Sequence, residues 1–332
     1  MQSVIKIGTR ESELAVWQAT MVKEMLEAEG HAAELLYIRS EGDIDLKTPL
    51  YEMGVQGIFT RSLDIALLNH TIDIAVHSMK DVPTQLPQGI CQAAVIKRGN
   101  YKDLFVPNPH SELSIVNSQS PQRSSDLENL PGSLKTPEVS LLTIDYSHIA
   151  TSSIRRKAQW LHRYPQSIIN NIRGNVNTRL QKLAESNWHG AIFAAAGLER
   201  INRRPHTAIE LDWMLPAPAQ GAVMVVARTG EDAPLFACAK LNDEATAVCT
   251  KIERDFLREL LGGCSTPISA LAQVEEDEIH FEGNILSLDG KEKASVTQTV
   301  ALKDADGFGK NMAIRLLQNG GAAIAEKIRD GK

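Results

Sequence analysis

Apolar and polar positions along the chain repeat with two different periods. Residues 4–9 and 33–38 carry short apolar runs of strand length. Residues 13–29 repeat apolar positions at helical spacing, with Ser12 placed as an N-cap. Residues 58–68 predict an amphipathic helix and 72–77 a further strand. Strands alternating with helices predict parallel βαβ units with the helices packed over the sheet. Residues 41–57 have no clear period and predict a loop at the same sheet edge.

The pattern breaks near residue 107. Residues 107–137 are rich in Ser, Pro and Asn, long for a loop inside a compact domain, and predict an exposed insertion. A second α/β unit follows, with strands at 139–144, 167–172 and 190–196 and helices at 153–163 and 175–186. Pro216-Ala217-Pro218-Ala219-Gln220-Gly221 reads as a linker or crossing segment. Residues 244–261 form a strong helix pattern. Beyond Gly262-Gly263, strands at 268–274, 278–285 and 294–302 and a helix at 306–328 predict a small α+β domain. The fold class expected is therefore α/β, with two α/β lobes and a smaller C-terminal α+β unit.

Composition narrows the function. The chain has 332 residues, 43% hydrophobic and 23% charged, enough for two or three domains. A net charge of −6 argues against non-specific nucleic-acid binding. Cys91, Cys238, Cys249 and Cys264 have no CxxC spacing, which argues against a zinc site or a disulfide framework and for a reducing compartment. No apolar run approaches a membrane span, and no signal peptide is evident. A cytoplasmic protein with no metal, no nucleic-acid partner and no membrane partner is expected.

Three features suggest chemistry. The apolar run ending at Val76-His77-Ser78 stops at Lys80-Asp81, and Pro83 blocks further pairing. Ligands bind at the carboxyl ends of strands in open α/β sheets, so this acid–base pair marks either a reaction centre or a solvated ion pair. Arginines also follow predicted strands: Arg10 in the first unit, Arg173 in the second, with Arg179 in the next helix. Arg155 and Arg156 occupy the first turn of the helix opened by Thr151-Ser152-Ser153. Cations there oppose the helix dipole, and a bound anion would resolve the conflict. Facing sheet edges would then enclose a polyanion pocket. Finally, Gly262-Gly263-Cys264 with Pro267 describes a tight loop presenting a thiol, whereas the other three cysteines read as small buried hydrophobes.

These segments, taken in order, resemble the porphobilinogen deaminase (hydroxymethylbilane synthase) family. The matching residues are Gly8-Thr9-Arg10-Glu11-Ser12 with Gln18; Val76-His77-Ser78-Met79-Lys80-Asp81-Val82-Pro83; and Thr151-Ser152-Ser153-Ile154-Arg155-Arg156. They continue with Ile172-Arg173-Gly174-Asn175 and Thr178-Arg179-Leu180, Ala196-Gly197-Leu198 with Arg200, Gln220-Gly221-Ala222, and Gly262-Gly263-Cys264. The resemblance implies two lobes like those of a periplasmic binding protein, residues 1–98 with 222–239 and residues 99–221, and a third domain at 243–332. It implies a dipyrromethane cofactor, thioether-linked to Cys264. Four porphobilinogen units are added to it with loss of ammonia, and hydrolysis releases hydroxymethylbilane.

By the same resemblance, Arg10, Arg155, Arg156, Arg173 and Arg179 neutralise the acetate and propionate arms, with Ser12, Ser78, Thr151 and Ser153 as hydroxyl donors. Lys80 pairs with cofactor carboxylates. Asp81 accepts from pyrrole N–H groups and stabilises the cation formed as ammonia leaves. Gln18, Gly174, Arg200 and Gln220 complete the binding set, and a monomer is expected. Three positions depart from the family pattern: Gln56 stands where a lysine is frequent, and Ala150 and Asn177 stand for glycines. Two other readings explain the arginines. One is a non-catalytic two-lobed binder of polycarboxylates. The other is an enzyme using Cys264 as nucleophile. Covalent pyrroles on Cys264 separate all three.

Overall fold

The computed structural model describes residues 4–39, 60–110, 145–260 and 266–330. The predicted loop at 41–57 with Gln56, the strand at 139–144, Cys264 with its glycines, and all but the first residues of the 107–137 insertion lie outside the described residues.

The chain opens with β1 (Ile5–Thr9), α1 (Glu13–Ala28), β2 (Ala33–Tyr37), α2 (Arg61–Leu68), β3 (Ile74–Ser78) and β4 (Ile90–Ile96). It then forms β5 (Asp103–Pro107), β6 (His148–Ala150), α3 (Ile154–Arg163), β7 (Ile168–Asn170), α4 (Val176–Ala184), β8 (Gly190–Ala194), α5 (Ala195–Glu199) and β9 (Ile209–Glu210). The remainder is β10 (Val223–Arg228), α6 (Asp232–Ala239), α7 (Glu244–Glu259), β11 (Ile268–Glu275), β12 (Glu278–Leu286), β13 (Lys293–Ala301), α8 (Phe308–Leu316) and α9 (Ala322–Asp330).

The described residues form three sheets. The first has the order β2-β1-β3-β10-β4, the second β7-β6-β8-β5-β9, and the third is the antiparallel meander β11-β12-β13. In the first sheet β1 runs parallel to β2 and β3, whereas β10 is antiparallel to both neighbours. Strand β10 is buried throughout, as a strand covered on both faces must be. The chain thus leaves the first sheet after β4, builds the second, and returns through 216–222 to insert β10. Gly221 sits on that return path with φ +89, and a Cβ there would lie 2.8 Å from the Gly99 carbonyl of the outgoing path.

Side-chain caps start several of the helices. The hydroxyl of Ser12 accepts from Ala15 N, that of Ser153 from Arg156 N, and the Asp243 carboxylate from Thr246 N. The predicted helix at 306–328 is instead two helices, because Gly320 adopts φ +96 and interrupts the pattern between α8 and α9. The strand preceding Thr151 is β6, only three residues long, and the sequence pattern did not reveal it. Its partner β7 is correspondingly shorter than the predicted 167–172. Strand β8 ends at Ala194, since Ala195 already begins α5.

Helix α7 ties the third sheet to the other two. Glu253, fully buried, accepts both Arg98 guanidinium nitrogens at 2.6 and 3.0 Å. Its oxygens also accept from Ala219 N at 2.6 Å on the return path and from Ala272 N at 2.8 Å on β11. On the second sheet's side, Gln159 Nε2 donates to Ser269 Oγ at 3.0 Å. Phe256, Phe281 and Phe308 stack edge to face in the core beneath the meander. Cys238 and Cys249 are buried, and burial pushes their thiols up to about 12 and about 11. Cys91 is half-buried, with Sγ 3.7 Å from Ala227 O.

Candidate active site between the two large sheets

A cavity of about 390 Å³ opens between the first and second sheets, and the return path and third sheet help to close it. Its wall has a simple origin. Strands β1 and β3 end side by side, so Ser78 at the end of β3 and the residues that follow the two strands, Arg10 with Ser12 and Lys80 with Asp81, face one space. Opposite, α3 and α4 begin at the same wall and contribute Thr151, Ser153, Arg155 and Arg156, then Arg173, Gly174 and Arg179. Helix starts present unpaired N–H groups and partial positive charge to this space. Gln18 from α1, Arg200 just after α5 and Gln220 from the return path complete the set. Every described residue that the sequence assigned to catalysis or binding therefore lines one cavity. Cys264 lies outside the described residues.

Charge is distributed unequally here. Among the described residues the wall carries the cations Arg10, Lys80, Arg155, Arg156, Arg173, Arg179 and Arg200, and one carboxylate, Asp81. This occurs in a chain of net charge −6. Such a concave cationic surface attracts and selects anions.

The Arg155–Arg156 conflict is resolved from inside the protein. Asp103, fully buried at the start of β5, accepts from Arg155 Nη2 at 2.7 Å through Oδ2. Its Oδ1 accepts from Arg156 Nε at 3.0 Å and Nη2 at 2.8 Å. Arg155 also donates to Leu215 O at 2.7 Å and Arg156 to Ile192 O at 3.0 Å. The expectation that a bound anion would satisfy this pair is thus corrected: a carboxylate of the chain already does so in part, leaving one net positive charge. Burial raises the Asp103 carboxyl, but Arg155 and Arg156 overcome that and hold it at about 2. Sequence reading missed Asp103. Its one visible cue is an acidic residue opening an apolar run, a pattern shared by many exposed strand starts.

A polar chain crosses the site. Lys80 Nζ donates to Gln220 Oε1 at 3.2 Å, and Gln220 Nε2 donates to Asp103 Oδ1 at 2.9 Å and Tyr101 O at 2.8 Å. The half-buried Lys80 ammonium is brought down to about 8, first by burial and then by the Arg156 charge, with Asp81 and Asp103 opposing. Gln18 Nε2 donates to Ser78 Oγ at 2.9 Å. Arg200 Nη2 donates to Gly221 O at 2.6 Å and the guanidinium carbon, Cζ, lies 5.6 Å from the Trp17 ring centre, so α1 and the second sheet's helices meet at the cavity rim. Asn177, at a position where glycine is frequent, donates to Glu13 Oε2 at 2.6 Å across the same rim.

The Nε atoms of Arg155 and Arg179 are buried and have no hydrogen-bond partner among the described residues. Burial pushes Arg179 down to about 10, yet it stays charged at neutral pH. Asp81 is exposed beside Lys80 and is the one carboxylate among the described wall residues, so it can accept hydrogen bonds but donates none when ionised.

Comparison with known proteins places the chain in a family. The family model described as porphobilinogen deaminase, dipyromethane cofactor binding domain, matches residues 5–235. That for the porphobilinogen deaminase C-terminal domain matches residues 247–318. The porphobilinogen deaminase of Syntrophomonas wolfei is 36% identical over 329 residues, 98% of this chain and 99% of that protein. That of Syntrophotalea carbinolica is 37% identical over 326 residues, 97% of this chain and 95% of that protein. Among solved structures, the chain is similar to the unliganded L-cystine solute receptor of Neisseria gonorrhoeae, at 12% identity and a TM-score of 0.36 over 74% of this chain and 88% of that one. Both family models match in order along the chain, and the relatives align from end to end: the chain belongs to the porphobilinogen deaminase family.

Proposed function

We propose that this chain is a hydroxymethylbilane synthase. It joins four porphobilinogen molecules head to tail, with loss of ammonia, onto a dipyrromethane primer carried by Cys264, and releases hydroxymethylbilane by hydrolysis. The observation that carries the proposal is the cationic cavity wall around the lone carboxylate of Asp81. When bound, the dipyrromethane supplies the pyrrole end to which substrate is joined. The chain's own residues do the rest.

Arg10, Arg173, Arg179 and the residual positive charge of Arg155 and Arg156 hold the acetate and propionate arms. Ser12, Ser78, Thr151 and Ser153 add hydroxyl donors, and the backbone at Gly174 lets the α4 start approach the ligand. Lys80, aimed by Gln220, pairs with carboxylates of the bound primer. Gln18 holds Ser78 in place, and Arg200 closes the rim. Asp81 accepts from pyrrole N–H groups and stabilises the positive charge that develops as ammonia departs. Preorganised charge of this kind is often the largest contribution to catalysis. The proposal also includes three domains, residues 1–98 with 222–239, 99–221 and 243–332, and a cytoplasmic monomer acting on a small molecule without nucleic-acid or membrane partners. No helix among the described residues is long and apolar enough to cross a membrane.

The test is the intact mass of the denatured protein beside a Cys264→Ser variant, each also after incubation with porphobilinogen. An added mass of two linked pyrrole units, absent from the variant, supports the proposal. A wild-type chain that stays unmodified after incubation overturns it.

A further inference from the structure

Helix α7 carries two consecutive buried charges that serve different neighbours. Glu253 bonds Arg98 and the return path. Arg254, the next residue, reaches the segment that follows β3. Its Nη1 donates to Val82 O at 2.9 Å and to Met79 O at 3.4 Å, and its Nη2 donates to Pro83 O at 2.6 Å. Those carbonyls bracket Lys80 and Asp81. The two residues sit in a single 3₁₀ turn, Met79–Asp81, closed by Val82 N to Met79 O at 3.1 Å and anchored by Met79 N to Ala222 O at 3.0 Å.

So short a turn has little stability of its own. Pro83 cannot extend the β3 pairing, because it has no N–H to donate. An external clamp is therefore needed to fix the direction in which Lys80 and Asp81 project. A guanidinium fork can hold three carbonyls at once, whereas an ammonium on a flexible stem cannot hold them in one plane. Leu257, on the next turn of α7 from Arg254, lines the cavity, so the same helix reaches both the turn and the site.

We propose that Arg254 is a positioning residue: it holds the Met79–Asp81 turn against α7 and thereby sets where the Lys80 and Asp81 side chains stand in the cavity. The inference rests on the reading of Asp81 as the reaction carboxylate only for its effect on rate. The clamp itself is a property of the chain. It also explains why helix α7 must be seated for the site to be complete, although its own fold belongs to the third sheet.

The test compares Arg254→Lys, Arg254→Met and Arg258→Met in the cofactor-carrying enzyme. Arg258 serves as control, because among the described residues its exposed guanidinium meets Thr84 O at 3.0 Å, beyond the turn, and Asp255 of its own helix at 3.5 Å. Hydrogen exchange across residues 76–84, adduct mass, thermal unfolding and porphobilinogen turnover per adduct-carrying chain are measured together. In Arg254→Lys, amides of Met79 to Val82 are expected to exchange about tenfold faster while distant helices keep their protection. Turnover should fall about 10- to 10²-fold, the scale of a small misplacement of a reacting group. The control is expected to change neither.

Unaltered exchange at residues 79–82 in a folded Arg254→Lys protein overturns the proposal, and so does unaltered turnover. If Arg254→Met does not fold, the lysine variant decides. Failure of the wild type to turn over porphobilinogen sinks the functional reading instead, and the exchange measurement still decides whether Arg254 clamps the turn.

Discussion

Asp103 and Arg155 lie 52 positions apart, on a strand start and a helix start of the second sheet, yet their side chains meet at 2.7 Å in a fully buried contact. Arg156 shares the same carboxylate, so one negative charge serves two guanidiniums. This ratio lets the helix start fold without ligand while keeping the wall cationic. Full neutralisation would remove the reason for an anion to bind, and no neutralisation would leave two buried cations at the positive end of a helix.

Replacing Asp103 with Asn is expected to destabilise the fold by about 3–5 kcal/mol, the usual result of removing one partner from a buried ion pair. Denaturant unfolding checks this. A loss below about 1 kcal/mol, the range of surface pairs, would show that the arginines find other acceptors.

Asp81 is exposed and makes no packing contribution to the core, so Asp81→Asn is expected to fold with an unaltered melting temperature. Its turnover of porphobilinogen should drop about 10²–10⁴-fold, the typical span of acid–base and charge assistance. Steady-state rates normalised to adduct-carrying protein provide the measurement, and near-normal turnover would remove Asp81 from the role.

The depressed Lys80 ammonium, at about 8, gives a pH dependence of definite sign. Its charge is present below that value and lost above it. Loading of the cofactor-free chain by porphobilinogen should therefore weaken as pH rises through about 8. Lys80→Met should load poorly at every pH and show no such step. Stability moves the other way. Between about 8 and the unfolded lysine value of about 10.4, the unfolded chain binds more protons, so the Lys80 contribution to stability grows with pH. Adduct mass and thermal unfolding across pH 7–10 separate the two trends.

Glu253 accepts four hydrogen bonds from three regions of the chain. Glu253→Gln is expected to cost about 3–5 kcal/mol by stranding Arg98, and replacing both residues with methionine should recover part of the loss, because the desolvation cost of the pair disappears with it. A double-mutant cycle measures this, and additive losses would contradict it.

Much of the fold was legible because its signals are local. The Ser12 and Ser153 caps depend on residues three positions away, and α1 and α3 follow their predicted ranges within a residue or two. Strands β4, β5 and β10 and helix α6 escaped the reading. Strand β10 is buried on both faces and lacks alternation, and its place between β3 and β4 is set by a chain that has first built another sheet. The three-residue β6 is too short for any period to show.

The amino-acid sequence by itself determined which residues are candidates for the chemistry: Lys80 and Asp81 after an apolar run, arginines after predicted strands, Cys264 after two glycines. These are read from residue type and near neighbours, and the ordered motifs identify the family. Only the tertiary structure decided how charge is shared among them. Asp103 against Arg155 and Arg156, Gln220 between Lys80 and Asp103, Glu253 against Arg98, and Arg254 beneath the turn that carries Asp81 are all pairings between distant segments. A buried charge takes the partner that the packed backbone brings within hydrogen-bond reach, and sequence spacing carries no record of that distance.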